Sequence, residues 1–405
     1  MAGVVIVGGG QAAASLSTQL RAAGYEGPVT IFCEEPHPPY QRPPLSKAYL
    51  LGDMDREQLF LLPQAQYERE DITVRLSVRV DTIDRAAKTV HFGDAHMGYD
   101  HLVLATGAYP RRLPESIGGA LKGVQTVRTL ADIDAMGPQM QPGRHLVIVG
   151  GGYIGLEAAA VAKKLGLHVT LLEAAPRILQ RVAAPETADY IRNLHTSHSV
   201  RILENMSLVR LTDKAGAVSG VLLGSGDCLK ADLVIVGIGV TPAAELAAAA
   251  GLDVENGIAV NAFGQTSDPS IWAVGDCASF PLQDGRIRLE SVGNAIDHAK
   301  RIAVTIAGTP APYIPKPWFW SDQYDLKLQI AGLNTGYDDV VTRDEDTAGV
   351  SFWYFAGDRL LAVDAMNNGR AFMVGRRIIE MGKTVAKQLV SDTSVDLKEL
   401  LASAH

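Results

Sequence analysis

Cysteine is scarce in this chain of 405 residues, with only Cys33, Cys228 and Cys277 and no C-x-x-C spacing among them. Cysteines so far apart signal neither a zinc site nor a redox dithiol, and all three are expected as small, buried, apolar side chains. A basic surplus is also missing. Lys and Arg number 37 against 45 Asp and Glu, a net charge of −8, whereas a chain that grips nucleic-acid phosphates needs the opposite balance. No apolar run is long enough to cross a bilayer, and the residues before Val4 carry neither the charged segment nor the cleavage site of an export signal. The expectation is a cytoplasmic protein that engages neither nucleic acid nor membrane. At this length a single core is too small a container, and two or three domains are expected.

Glycine, by contrast, is abundant, and two glycine-rich turns carry most of the information. The β-branched run Val4–Val7 enters Gly8-Gly9-Gly10-Gln11-Ala12-Ala13, and the run ending at Val149 enters Gly150-Gly151-Gly152-Tyr153-Ile154-Gly155. A strand that stops at a tight turn and opens a helix leaves unpaired N–H groups and a positive dipole end facing one spot, which suits a pyrophosphate. Gly8 and Gly150 fit the sharp turn, Gly10 and Gly152 let the backbone approach a phosphate, and Ala13 and Gly155 are small where helix meets strand. Each turn is followed, after a helix and a second strand, by acids placed to bond a ribose hydroxyl: Glu34 with Glu35 after the first, Glu173 after the second. Two such units in one register imply two bound nucleotides. A carboxylate in such a place accepts from a ribose 2′-hydroxyl and repels a phosphate carried there.

The chain between and beyond these turns repeats a plan. Residues 102–107, ending Ala105-Thr106-Gly107, and residues 231–239, ending at Gly239, each read as an apolar strand closing on a small-residue turn. A short antiparallel region is expected over residues 74–92, and a long helix over 294–306. Before that helix a buried strand ends at Gly275-Asp276, for which two readings stand: a helix N-cap, or a carboxylate that orders ligand hydroxyls. From Trp318 the composition turns to aromatic-rich alternating strands, including 350–354 and 359–363, then a final helix near 370–389. The fold class expected is α/β: two Rossmann-like dinucleotide-binding domains and a small α+β C-terminal domain.

The two turns, Ala105-Thr106-Gly107, Gly275-Asp276 and the aromatic C-terminal region resemble the two-dinucleotide FAD/NADH reductases with a glutathione-reductase-type fold. Arg42-Pro43-Pro44-Leu45-Ser46-Lys47 and Trp318-Phe319-Trp320-Ser321-Asp322-Gln323 resemble, more narrowly, the NADH-dependent ferredoxin reductases of cytochrome P-450 and ring-hydroxylating dioxygenase systems. The resemblance implies an FAD-binding domain of residues 1–112 and 241–317, an NADH-binding domain of 113–240 and a C-terminal domain of 318–405. It puts FAD on Gly8, Gly10, Ala12, Glu34, Lys47, Val80, Arg128, Asp276 and Val292, with Thr106 and Gly107 at the same strand ends. It puts NADH on Gly150, Gly152, Ile154, Gly155, Glu173, Arg181 and Gly239. Lys47 would pair with Glu157 near the flavin, and Trp320 would lie against the ring. From the residues alone, Ser46 can also be read as a helix cap with Lys47 solvated, and Trp318 and Trp320 as core aromatics.

The missing dithiol separates relatives. Glutathione, thioredoxin and lipoamide reductases need a cysteine pair beside the flavin, and a peroxidase of this fold needs a redox cysteine near residue 42, where Arg42 stands. Electrons would therefore leave the flavin directly for a one-electron partner, a transient acidic 2Fe-2S ferredoxin. Lys300, Arg301, Lys327, Arg370 and Arg376 are candidates for its docking, or else ordinary solvated surface. Rubredoxin reductases, NADH oxidases and flavin-nicotinamide binding proteins like apoptosis-inducing factor are the rival readings. No metal site is expected.

Overall fold

A computed structural model describes residues 2–282 and 285–405. The chain divides into two compact units, the first made of Met1–Arg42, Asp55–Tyr109 and Val240–Pro317, the second of Pro43–Met54, Pro110–Gly239 and Trp318–His405.

The first unit is built on a parallel sheet in the order Ile271–Ala273, His101–Leu104, Val4–Val7, Val29–Phe32, Ile72–Arg75. Every residue of Val4–Val7 and Val29–Phe32 is buried, as continuous β-branched runs must be in a sheet covered on both faces. Helices Gln11–Ala22 and Val292–Ile306 pack together through Ala13, Leu16, Leu20, Ala299, Ile302 and Ala303. The antiparallel region expected over 74–92 is corrected: Ile72–Arg75 runs parallel to Val29–Phe32, and the antiparallel set is Thr82–Asp84, Thr89–Phe92 and Ala95–Gly98. Val74 alternates with polar neighbours, and that period alone does not tell a parallel edge strand from a hairpin arm.

The second unit contains a matching parallel sheet, ordered Arg201–Leu203, His168–Leu172, His145–Val149, Leu233–Val236, Val124–Gln125. It also holds a five-stranded antiparallel sheet in the order Trp318–Gln323, Leu326–Gly332, Arg359–Met366, Val350–Ala356, Asp339–Asp344. Helices Gly369–Glu380, Lys387–Ser391 and Leu397–Ser403 cover that sheet through Ala371, Ile378, Val390 and Leu400. The single helix expected over 370–389 is corrected to two, because Gly382 takes a left-handed φ of +67° and ends the first. Cys33 and Cys277 are buried as expected, while Cys228, on a short antiparallel strand, is exposed. Among the described residues, no helix is long and apolar enough to cross a membrane.

Candidate functional site

In the first unit the C-terminal strand ends bring together the first glycine turn, Thr106-Gly107 and Gly275-Asp276. Gly8 has φ +122°, and a Cβ there would lie 2.2 Å from the Ala105 carbonyl oxygen, so only glycine fits. A Cβ on Gly10 would meet nothing within 4 Å. Gly10 is also the N-cap of helix Gln11–Ala22, with no side chain capping its N–H groups. An open space beside uncapped N–H groups at a helix start is what a pyrophosphate requires, so the residues present fit a dinucleotide. Ala12 lies against Gly275, whose added Cβ would come within 3.1 Å of the Ala12 methyl.

Asp276 sits in the 3₁₀ turn Gly275–Cys277. It is not a helix N-cap, since Val274 holds that place there and Ser291 caps the helix that Val292 opens. Arg288 Nη1 donates to the Asp276 carbonyl at 3.2 Å. Thr106 Oγ1 donates to the Ala243 carbonyl at 2.6 Å, tying down the neighbouring strand end. Val80 is buried. The two adjacent acids part company: Glu34 is exposed, with Arg79 at 3.7 Å, whereas Glu35 accepts from the Tyr40 hydroxyl at 2.6 Å and Arg42 Nη2 at 2.8 Å.

The second unit repeats the cradle. Gly150 has φ +109° with a virtual Cβ 2.3 Å from the Gly237 oxygen, Gly152 faces open space, and Gly155 packs on the Gly150 carbonyl. This cradle too fits a dinucleotide. Glu173 is held in place by the backbone, Oε2 accepting from Gly151 N–H and Oε1 from Ala175 N–H, each at 2.8 Å. The Arg181 guanidinium reaches within 3.5 Å of where a Gly239 Cβ would be, so those two are brought together. Ile154 is exposed at the helix start. The Arg128 backbone N–H is bonded to Asp132 in the cap of helix Leu130–Met136.

The second unit also assembles the pair singled out for chemistry. Lys47 Nζ lies 2.6 Å from Glu157 Oε2, with Glu157 buried on helix Tyr153–Lys164. Ser46 is no helix cap; its hydroxyl donates to the same Oε2 at 2.6 Å. Ser321 donates to Oε1 at 2.7 Å. Strand Trp318–Gln323 alternates, so Phe319, Ser321 and Gln323 share one face while Trp318 and Trp320 share the other and stack at 5.4 Å. Tyr153, next to the second glycine turn, meets Phe319 at 4.9 Å. In the sequence Ser46 reads only as a helix cap and Ser321 and Gln323 carry no role, although the period-2 pattern after Trp318 marks Ser321 and Gln323 as sharing one side. Of the docking candidates, Arg370 pairs with Asp396 and Arg376 with Glu380, and Arg376 also lies over the Trp318 ring.

Residues 2–299 match the pyridine nucleotide-disulphide oxidoreductase family and residues 318–401 the reductase C-terminal family. The chain is 43% identical to rhodocoxin reductase of Rhodococcus erythropolis over 403 residues, covering 98% of this chain and 94% of that one. It superposes on the covalent putidaredoxin reductase-putidaredoxin complex with a TM-score of 0.96 and 42% identity, covering 99% of this chain and 98% of that one. On the ferredoxin reductase for the CYP199A2 system from Rhodopseudomonas palustris the TM-score is 0.95, with 38% identity and the whole of both chains covered. With two uncapped glycine cradles in its sheets and relatives of this likeness along its whole length, the chain belongs to the pyridine nucleotide-disulphide oxidoreductase family, among its FAD-dependent NAD(P)H:ferredoxin reductases.

Proposed function

We propose that this chain is a cytoplasmic reductase that takes hydride from NADH onto a non-covalently held FAD and passes single electrons to an acidic 2Fe-2S ferredoxin serving a P-450 or dioxygenase. The observation that carries this reading is a pair of dinucleotide cradles without a dithiol: the three cysteines are free, and two of them are buried. Bound FAD supplies the capacity to take electrons in a pair and release them one at a time.

The rest belongs to the chain. Gly8, Gly10 and Ala12, with Thr106, Gly107, Val80, Asp276 and Val292, hold the flavin nucleotide on residues 1–112 and 241–317, and Glu34 takes its ribose. Gly150, Gly152, Ile154, Gly155, Arg181 and Gly239 hold the nicotinamide nucleotide on residues 113–240. Glu173 selects NADH, since its carboxylate accepts a 2′-hydroxyl and repels a 2′-phosphate. Lys47, Arg128 and Trp320 are the further flavin residues of this reading. The Lys47 ammonium, oriented by Glu157, favours the electron-rich reduced ring.

The test is NADH-driven reduction of cytochrome c with and without a 2Fe-2S ferredoxin. Reduction that depends on the ferredoxin supports the reading. Equal rates without it, or slow stopped-flow reduction by NADH with a persistent charge-transfer band, point instead to an oxidase or a binding protein.

A further inference from the structure

A line of buried polar side chains runs from Glu157 to the outer end of helix Pro185–Ser197. Glu157, Ser321, Gln323 and His195 are all buried. Gln323 Nε2 lies 3.0 Å from Ser321 Oγ, His195 Nε2 lies 2.8 Å from Gln323 Oε1, and the Tyr324 hydroxyl lies 3.3 Å from His195 Nδ1. At the far end the Tyr324 ring stacks on exposed His198, with centroids 3.7 Å apart.

The chemistry of the groups fixes the direction of every bond. A carboxylate ion-paired with Lys47 can only accept, so Ser321 must donate its one proton to Glu157. Ser321 then has only lone pairs to offer Gln323, which must turn its NH₂ toward the serine and its oxygen toward His195. That oxygen accepts, so His195 carries its proton on Nε2. Its bare Nδ1 is left to accept from the Tyr324 hydroxyl. Burial holds the ring neutral, pushing its pKa down to about 4, so it carries one proton and the bonds decide which nitrogen holds it.

We infer that Ser321, Gln323 and His195 are positioning residues for the Lys47–Glu157 pair, a line of hydrogen bonds in which each donor points toward the Glu157 carboxylate. The inference rests on the reading that this pair tunes the flavin. Aligned donors reinforce one another in a low-dielectric interior. The Ser321 bond takes up part of the negative charge on Glu157; without it that charge offsets more of the Lys47 ammonium, and less positive field remains to favour the reduced ring.

The experiment uses the full-length holoenzyme and reads two quantities, the ¹⁵N NMR tautomer of His195 and the flavin midpoint potential. The wild type should show His195 protonated at Nε2. Ser321→Ala, which frees the Gln323 amide to turn, should mix the two tautomers. Ser321→Ala and Gln323→Leu should both lower the potential, in the direction of Lys47→Ala and by less, while Ser321→Thr restores the wild-type value. A wild-type His195 protonated at Nδ1 overturns the inference. So does an unchanged potential in Ser321→Ala beside a shifted one in Lys47→Ala. An unchanged potential in Lys47→Ala overturns the reading of Lys47 instead, and the tautomer in Ser321→Ala then decides the line alone.

Discussion

The Gly151 N–H donates to Glu173 Oε2 at 2.8 Å, so the acid ending one strand steadies the glycine turn ending its neighbour. A carboxylate has acceptor positions beyond the two filled by Gly151 and Ala175, and these remain for a ribose. Glu173→Gln keeps the shape and removes the charge. A hydrogen bond to a charged group contributes about 1.5–3 kcal/mol, so the ratio of kcat/KM for NADH over NADPH should fall roughly tenfold or more. Steady-state kinetics with both nucleotides check this, and a wild type that prefers NADPH contradicts the role given to Glu173.

Gly8 and Gly10 differ in what a methyl group would strike, which separates folding from flavin retention. Gly8→Ala drives its Cβ into the Ala105 carbonyl at a positive φ, a strain of at least about 1–3 kcal/mol from the backbone alone. It should lower Tm in the apoprotein. Gly10→Ala meets no protein atom within 4 Å, so the apoprotein should melt as the wild type does, while the purified protein loses its flavin absorbance. Normal flavin content in Gly10→Ala would show that the open space above the turn is not a pyrophosphate site.

Asp364 in the second unit is fully enclosed, accepting from Thr187 at 2.7 Å and from the Tyr354 hydroxyl. Burial raises its pKa from 3.8 to about 6. The folded protein therefore holds this proton more tightly than the unfolded chain, so its stabilising contribution is complete below about pH 4 and is lost as pH rises through 6. The stability of the wild type relative to Asp364→Asn should decline across that window by up to about 3 kcal/mol. Urea unfolding of both proteins at pH 4, 5, 6 and 7 measures it, and parallel curves would contradict it.

Thiol labelling tests the electron route. Cys33, whose pKa burial lifts to about 12, and Cys277 are enclosed, and Cys228 is exposed. Iodoacetamide should modify one thiol in the native protein and all three after denaturation. Flavin reduction by NADH should be unaffected in the alkylated enzyme; a loss of turnover would mean that a thiol carries electrons after all.

Of the docking candidates in the second unit, Lys327 is exposed, whereas Arg370 and Arg376 already pair with carboxylates. Lys327→Glu should raise KM for an acidic ferredoxin by roughly 3–10-fold at low ionic strength, more than Arg370→Ala, with the gap closing in high salt. Ferricyanide reduction, which needs no docking, should stay constant in both variants.

Both nucleotide cradles were legible in the sequence because glycine at a strand-to-helix turn is a local steric requirement. Gly8, Gly150 and Gly155 each abut a named backbone oxygen. The Lys47–Glu157 pair was reached by resemblance, since nothing local in Pro43–Ser46 announces a partner more than a hundred residues away. Ser321 and Gln323 escaped notice because a serine or glutamine among aromatics looks like surface until the opposite wall is known. The break at Gly382 was there to be read, but the apolar spacing on either side of it continues as if one helix did.

The segment Pro43–Met54 belongs to the second unit while both its neighbours in sequence belong to the first. This protein therefore cannot be recombined by cutting at domain borders. A chimera that imports residues 110–239 from a relative, or a fragment that expresses them alone, brings Glu157 without the Ser46 and Lys47 that satisfy Oε2. Removing one partner of a buried ion pair destabilises by about 3–5 kcal/mol, a large fraction of the stability of most domains. A working graft must therefore carry the dozen residues after Arg42 along with residues 110–239, so evolution and protein engineers alike must treat two distant stretches of the gene as one inherited part.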